Sequence, residues 1–274
     1  LKVADLLKLG QNALEGSPDA KWDAKELLLS VFHKDRNSLV SILREEVSDE
    51  QKEQYIDLLT QRKSGTPLQY ILHEAWFMGL PFYVDENVLI PRQDTELLCE
   101  EALKIAEKEQ FLTALDLCTG SGALAVSLAK YGKLSVSATD ISDGALSVAK
   151  RNAEQNQTNV TFYQGDFLNP VQGQRFDLIV CNPPYLTKSD MEELQEEVKK
   201  EPALALFGGE DGLTFYRRLE REAESFLNDN GVLMMEIGSA QGKAVMRLFS
   251  AWNPCLLQDL NGLDRVVIAR KPKR

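Results

Sequence analysis

From residue 113 to residue 237 the chain alternates short, apolar runs with longer amphipathic stretches, and few folds accept that order. Strands that lie parallel in one sheet need a crossover of a dozen or more residues, and an amphipathic helix supplies it. The spacing predicts strands near 113–118, 134–139, 160–164, 177–181 and 231–237, with helices over about 122–131, 143–156, 190–200 and 212–229. The fold class that follows is α/β, built on a parallel sheet. The order changes at the end, where Cys255-Leu256-Leu257 and Val266-Val267-Ile268 flank the turn-forming pair Asn261-Gly262. An antiparallel hairpin is expected to finish the sheet.

At 274 residues there is room for a second, smaller domain. Residues 1 to about 64 carry no strand pattern: Val3, Leu6, Leu7 and Leu14 fall at helical spacing, as do Ala24, Leu27, Leu28, Val31 and Phe32. Ser48 followed by Gln51 reads as a capping box that opens a helix with Tyr55, Leu58 and Leu59 on its apolar face, ended by Gly65 and Pro67. A helical bundle with a recognition role is expected over 1–72. Ala75-Trp76-Phe77-Met78, Gly79-Leu80-Pro81 and Phe82-Tyr83-Val84 predict a β-hairpin linker within 73–92, with strand structure extended by Asn87 to Ile90. Asp94 or Thr95 is expected to cap the helix that carries Leu97, Leu98, Leu103 and Ile105 into the last segment, 93–274.

Composition narrows the class. With 43% hydrophobic and 27% charged residues, and no apolar run near the roughly 20 residues of a membrane span, a cytoplasmic globular protein without a membrane partner is expected. Leu1 opens no signal pattern, which reads as a trimmed N-terminus rather than a secretory leader. The formal charge of −11 argues against a broad grip on nucleic acid, because phosphate binding needs a basic surface. Cys99, Cys118, Cys181 and Cys255 form no CxxC pair and sit in apolar segments, so they read as buried small hydrophobes. His33 and His73 lie on separate segments and offer little for a metal site or a Ser/His/Asp triad. No metal is expected.

The first motif that carries chemistry is Asp116-Leu117-Cys118-Thr119-Gly120-Ser121-Gly122, between a predicted strand and a helix that starts at Ala123. Open α/β sheets place nucleotide ligands there. Gly120 and Gly122 let the backbone turn sharply and approach a ligand, and the helix start offers free N–H groups. Asp116 can hold the ammonium end of a methionine moiety, directly or through water. The second strand ends in Asp140, whose carboxylate can accept from both ribose hydroxyls. The third leads to Asp166, suited to an adenine amine, and Phe167, suited to the base face. No Gly-Lys-Ser/Thr follows the glycines, so a nucleoside without a polyphosphate fits better than a P-loop ligand. NAD remains open on the glycines alone, although no hydride-transfer constellation accompanies them.

The second motif follows the strand that ends at Cys181: Asn182-Pro183-Pro184-Tyr185. Consecutive prolines remove backbone donors and keep their neighbours extended, leaving carbonyl oxygens free to accept. The Asn182 side-chain oxygen and the Pro183 carbonyl can take the two hydrogens of a planar NH2 group. An amide nitrogen shares its lone pair with its carbonyl, so holding both hydrogens favours a pyramidal nitrogen aimed at a sulfonium methyl. Alignment of this kind draws on the roughly 7–11 kcal/mol available from proximity. The Tyr185 ring can stack on the planar group, and the methylated nitrogen sheds its proton without a strong base. Asn182, Pro183 and Tyr185 are the candidate catalytic residues.

Beyond these loops, Gly65-Thr66-Pro67-Leu68-Gln69-Tyr70-Ile71-Leu72, Val88-Leu89-Ile90-Pro91-Arg92-Gln93-Asp94-Thr95-Glu96, Glu201-Pro202, Gly208-Gly209-Glu210-Asp211-Gly212-Leu213, Glu236-Ile237-Gly238 and Asp264-Arg265-Val266-Val267 are present. With them, nearly the whole chain resembles the bacterial release factor glutamine methyltransferases. The resemblance implies a class I, Rossmann-like methyltransferase domain of seven strands, a small N-terminal helical domain and a hairpin linker. It implies methyl transfer from S-adenosylmethionine, leaving S-adenosylhomocysteine, to the N5 amide of the glutamine in the Gly-Gly-Gln motif of class 1 peptide-chain release factors, in support of translation termination. By position it assigns Cys118, Thr119, Gly120, Ser121, Gly122, Asp140, Phe167 and Asn182 to the cofactor, and Asn182, Pro183, Pro184 and Tyr185 to the glutamine. Cys118 replaces the usual first glycine of the loop, and Phe167 stands where some relatives have tryptophan.

Three other readings share part of this pattern. A nucleic-acid amino methyltransferase acts on a similar NH2 with related loops, but the acidic charge counts against it. A glutamine methyltransferase acting on a ribosomal protein shares the second loop; the segment from Ile90 to Glu96 favours the release-factor branch. A noncatalytic binding module has no use for an intact Asn182-Pro183-Pro184-Tyr185.

Overall fold

The computed structural model describes residues 1–272 and divides the chain into two compact units. The first holds Leu1–His73 together with Gln195–Lys200, and the second holds Glu74–Leu194 and the chain from Glu201 onward.

In the first unit the apolar spacing forms α1 (Val3–Ala13), α2 (Ala20–Val31), α3 (Leu39–Ile42), α4 (Asp49–Lys63) and α5 (Leu68–Leu72). The Ser48 hydroxyl accepts from Gln51 N at 3.2 Å and the Gln51 side chain accepts from Ser48 N at 3.0 Å, so the capping box closes from both sides. Val3, Leu6, Leu27, Leu28, Ile42 and Leu59 meet in one core. Tyr55, fully buried, donates its hydroxyl to the Ala24 carbonyl at 2.8 Å. Gly10 leaves it room, since a Cβ there would fall 1.9 Å from that hydroxyl oxygen. Buried Arg62 pairs with Asp23 at 2.7 Å and also with Glu197, so 195–200 joins this unit and not the segment in which the sequence reading keeps it.

The second unit opens with a hairpin of β1 (Ala75–Phe77) and β2 (Leu80–Phe82), whose Phe77 and Phe82 enter its core, followed by α6 (Asp94–Glu109). β3 (Thr113–Leu117), α7 (Ala123–Tyr131), β4 (Ser135–Asp140), α8 (Asp143–Gln155), β5 (Val160–Gln164) and β6 (Phe176–Cys181) then alternate. α9 (Lys188–Glu192), α10 (Ala203–Leu206) and α11 (Thr214–Glu222) lead to β7 (Leu227–Glu236), and α12 (Gly242–Leu248) leads to β8 (Cys255–Gln258) and β9 (Asp264–Arg270). Seven strands stand in the order β5-β4-β3-β6-β7-β9-β8, with β9 antiparallel to both its neighbours. Successive residues point to opposite faces. Leu115, Leu117, Ile179, Cys181, Leu233 and Met235 pack with α11 and α12, while Ala114, Leu178, Val180, Val232 and Met234 pack with α6 and α7. Burial of both faces explains why these strands are almost wholly apolar. The chain runs from β3 through β4 to β5 on one side and places β6 on the other, so a crevice opens at the carboxyl ends of β3 and β6.

Several local expectations are corrected. The helix expected over 190–200 is only α9 and a 3-10 turn at Val198–Lys200, because Thr187 caps α9 early and Pro202 disfavours helix at Glu201. The helix expected to 229 stops at Glu222, and after a 3-10 turn β7 starts at Leu227, where pairing with Phe176 takes over. Asn87 to Ile90 form no strand; Ile90 N donates instead to Glu201 at 3.0 Å. Gln93, not Asp94 or Thr95, is the N-cap of α6, and Thr95 is buried in its first turn. Of the cysteines only Cys99 and Cys181 are buried; Cys118 is half-buried and Cys255 exposed, because the first lies in a loop and the second on the edge strand. No described helix is long and apolar enough to cross a membrane.

Gly10→Ala is expected to destabilise the helical unit by about 1–3 kcal/mol through overpacking against Tyr55. Chemical denaturation followed by circular dichroism checks this; an unchanged midpoint would mean that Tyr55 is not held where its bond to Ala24 puts it.

Candidate active site

The loop after β3 needs three left-handed residues close together: Cys118 at φ 59°, Gly120 at 55° and Gly122 at 80°. Glycine accepts that region at no steric cost, whereas a side chain at Cys118 strains it. The two glycines do different things. A Cβ on Gly120 would meet no atom within 4 Å, since Gly120 borders a cleft. A Cβ on Gly122 would stand 3.1 Å from Ala149 Cβ and 3.2 Å from Ala149 Cα, so this glycine lets α8 approach the loop. From α8, buried Asn152 donates to Ser121 O and to Tyr83 O, both at 2.9 Å.

Two carboxylates hold the loop from below and beside. Asp116 Oδ2 accepts from the Thr119 hydroxyl at 2.6 Å and from Ala125 N at 3.1 Å, tying the end of β3 to the start of α7. Burial pushes this carboxyl up to about 7, against the lowering by those two bonds. Its Oδ1 is buried with no hydrogen-bond partner among the described residues. Asp140, at the end of β4, accepts from Gly120 N and from Ser142 N, both at 2.9 Å. Burial raises its pKa too, and the backbone bonds from Ser142 and Gly120 lower it.

Counting its open mouth, the cleft measures about 880 Å³. Of the residues singled out from sequence, Cys118, Gly120, Asp140, Asp166, Phe167, Asn182 and Pro184 line it. Asp116, Thr119, Ser121, Gly122, Pro183 and Tyr185 are outside its lining. Asp166 is exposed and its two oxygens take the Arg218 guanidinium at 2.8 and 3.1 Å, which holds the carboxyl below its usual range. Arg218 in turn covers the Phe167 ring at 4.6 Å, and Phe215 stands 5.9 Å from that ring. Phe215 and Arg218, three apart on α11, complete the cleft wall. Their helical spacing is legible in sequence, but nothing local to them points to a cleft.

The loop after β6 is braced on every side. Asn182 Nδ2 donates to the Thr95 hydroxyl at 3.2 Å. Tyr185 O accepts from Gln241 Nε2 at 3.0 Å, and Leu186 exchanges backbone bonds with Leu206 and Gly208 at 2.9 and 2.8 Å. Gly208 lies so close that a Cβ would fall 2.6 Å from Tyr185 Cα, and a Cβ on Gly212 would fall 2.4 Å from Tyr185 O. Burial pushes the Tyr185 phenol up to about 12, so it stays protonated at neutral pH. Among the described residues, no group of three or more His, Cys, Asp or Glu is placed to hold a metal ion.

The chain matches two family models, the PrmC N-terminal domain over residues 5–72 and the methyltransferase small domain over residues 93–210. The release factor glutamine methyltransferase of Geobacter sulfurreducens is 41% identical over 98% of this chain and 95% of its own. That of Bacillus subtilis is 39% identical over 97% of each chain. Among solved structures, a methyltransferase from Pyrococcus furiosus has a TM-score of 0.54 at 21% identity, covering 72% of this chain and 91% of that one. A 16S rRNA methyltransferase of T. thermophilus, solved with AdoMet and guanosine, has a TM-score of 0.54 at 20% identity, covering 72% of this chain and 49% of that one. These two structures share the fold.

The division of labour between the glycines has a direct test. Gly122→Ala is expected to lose about 1–3 kcal/mol of stability by pushing against Ala149. Gly120→Ala is expected to lose no more than the roughly 1–2 kcal/mol of left-handed strain while weakening ligand binding in the cleft. Thermal unfolding and calorimetry with S-adenosylmethionine separate the two; equal losses of both properties in both variants would refute the assignment.

Proposed function

This chain belongs to the release factor glutamine methyltransferases, and on that footing we propose that it methylates the N5 side-chain amide of the glutamine in the Gly-Gly-Gln motif of class 1 peptide-chain release factors, in support of translation termination. The methyl donor of the family is S-adenosylmethionine. The observation that carries the reading is convergence: the loop after β3, the ends of β4 and β5 and the loop after β6 border one cleft, although they are far apart in the chain.

The residues present suit the donor. Asp140 lines the cleft and has acceptor capacity beyond its bonds to Gly120 and Ser142, which fits ribose hydroxyls. Phe167, backed by Phe215 and Arg218, offers a ring face to the adenine. Asp166 shares its carboxylate with Arg218, so its part in adenine binding includes keeping that wall in place. Cys118 and Gly120 leave the floor open, while Thr119, Ser121 and Gly122 shape the loop. Asp116, whose Oδ1 has no hydrogen-bond partner among the described residues, would hold the ammonium end of the donor directly or through water. When bound, S-adenosylmethionine supplies an electrophilic methyl on a sulfonium.

The chain's own work is to make a poor nucleophile attack. Asn182 Nδ2 is engaged by Thr95, which leaves Asn182 Oδ1 as the acceptor for one substrate N–H. The Pro183 carbonyl takes the other, so that both hydrogens are drawn to one side and the nitrogen lone pair points into the cleft. Pro184 forms the adjoining wall, and Tyr185, held by Gln241, supplies a protonated phenol and an aromatic face, not a base.

Incubation with labelled S-adenosylmethionine and, separately, release factor, ribosomal protein, DNA and RNA, followed by mass spectrometry, tests this reading. Label is expected on the release-factor glutamine, and its absence there would overturn the proposal. Asn182→Ala is expected to lower turnover by roughly a hundredfold while cofactor binding changes far less; unchanged turnover would remove the amide clamp.

A further inference from the structure

We propose that Glu201 is a clasp between two borders of the cleft and sets how tightly S-adenosylmethionine and its product are held. The inference rests on the donor assigned above. Asn87, Val88 and Leu89 line the cleft from one segment, and Pro202, Leu204 and Ala205 line it from another far along the chain. The first border is seated on α8, since a Cβ on Gly144 would fall 2.6 Å from Asn87 Oδ1. Glu201 joins the second border to it: one carboxylate oxygen accepts from Ile90 N at 3.0 Å and the other pairs with Arg92. Ile90 follows Leu89 directly and Glu201 directly precedes Pro202, so the tie lies where each segment leaves the cleft.

Backbone pairing cannot make this tie. Each segment has a proline beside the contact, Pro91 after Ile90 and Pro202 after Glu201, and proline has no N–H to give to a ladder. Each proline also keeps the residue before it extended. Ile90 is buried, so its N–H needs an acceptor, and a side chain has to supply it. Packing alone does not account for a glutamate here. Its side chain is only 2% exposed, and a neutral side chain of similar volume would be buried at lower cost. What the carboxylate adds is two acceptor oxygens, one for the Ile90 backbone and one for a guanidinium. Arg92 keeps 39% of its side chain exposed, so that half of the tie can be altered without opening the core.

The clasp is separate from the supports of the loop after β6. Asn182 is held by Thr95, and Tyr185 O by Gln241, without Glu201. Loosening the clasp therefore lets the cleft borders part while the residues assigned to the amide keep their places. A ligand that touches both borders favours the tied arrangement, and by linkage the tied arrangement favours the ligand. Glu201, Ile90 and Arg92 are themselves outside the lining of the cleft. Glu201 is thus a positioning residue, acting on the ligand through Leu89 and Pro202, and it governs retention of the donor, not the transfer step.

The test measures stopped-flow dissociation of S-adenosylhomocysteine and methyl transfer to a release factor for the unmodified protein, Glu201→Gln, Arg92→Met and Arg92→Lys. Glutamine keeps the volume but has a single acceptor oxygen, so one of the two bonds is lost. Glu201→Gln and Arg92→Met are expected to release S-adenosylhomocysteine roughly tenfold faster and to raise KM for S-adenosylmethionine by a similar factor, the equivalent of one charged hydrogen bond. The kcat is expected not to fall. Arg92→Lys, which keeps the charge without the planar fork, is expected to recover part of the loss. Unchanged dissociation in either Glu201→Gln or Arg92→Met, or a fall in kcat as large as the rise in KM, overturns the proposal. Hydrogen exchange gives a readout that needs no variant. Saturating S-adenosylhomocysteine is expected to slow exchange of the Ile90 amide in the unmodified protein by roughly tenfold or more, because that N–H is released only when the borders part. Ile90 exchange that is indifferent to bound ligand overturns the clasp even if the variants fold poorly. An unmodified protein that binds no S-adenosylhomocysteine strikes at the donor reading and takes the clasp with it, whereas binding with indifferent Ile90 exchange strikes at the clasp alone.

Discussion

The Asp140 carboxylate holds the two sides of the cleft at a fixed distance. One oxygen accepts from Gly120 N, in the loop after β3, and the other from Ser142 N, which starts α8. Neither backbone group has a helix or sheet partner to fall back on, because both belong to turns at strand ends. One side chain thus satisfies both turns and still borders the cleft. The left-handed residues at 118, 120 and 122 depend on this anchor, together with Asp116 and Asn152, to stay in a conformation that costs energy at Cys118.

The loop after β6 meets the same requirement with close backbone contact. Gly208 and Gly212 press their Cα atoms against Pro184 and Tyr185, and Gln241 bridges Tyr185 O and Gly212 O at 3.0 and 3.1 Å. A loop with consecutive prolines has few donors of its own, so rigidity has to come from outside. The motif Gly208-Gly209-Glu210-Asp211-Gly212 is therefore a brace for the loop after β6. Rigidity of this kind matters to methyl transfer, which depends on alignment more than on acid–base chemistry.

Much of this was legible beforehand where it depended on neighbours in sequence. The capping box at Ser48, the alternation from 113 onward and the terminal antiparallel hairpin follow from local pattern, and the structure has all of them. Local pattern misled where a distant partner intervened. Glu201 binds Ile90 N across 111 residues, and Asn87 to Ile90 form no strand. Thr95 looked like a helix cap and is instead a buried link between α6 and Asn182.

By itself the sequence determined the α/β class, the two loops at strand ends and the chemistry those loops invite. Each rests on spacing within one segment, where periodicity and turn residues act directly. Only the tertiary structure decided that Arg218 closes the Phe167 wall from 52 residues beyond Asp166, and that Thr95 meets Asn182 across 87 residues. Hydrogen-bond direction is decided there too. Which edge of an amide faces a substrate depends on what its other edge must satisfy, and that partner is chosen by how strands and helices pack, not by the residues beside it in the chain.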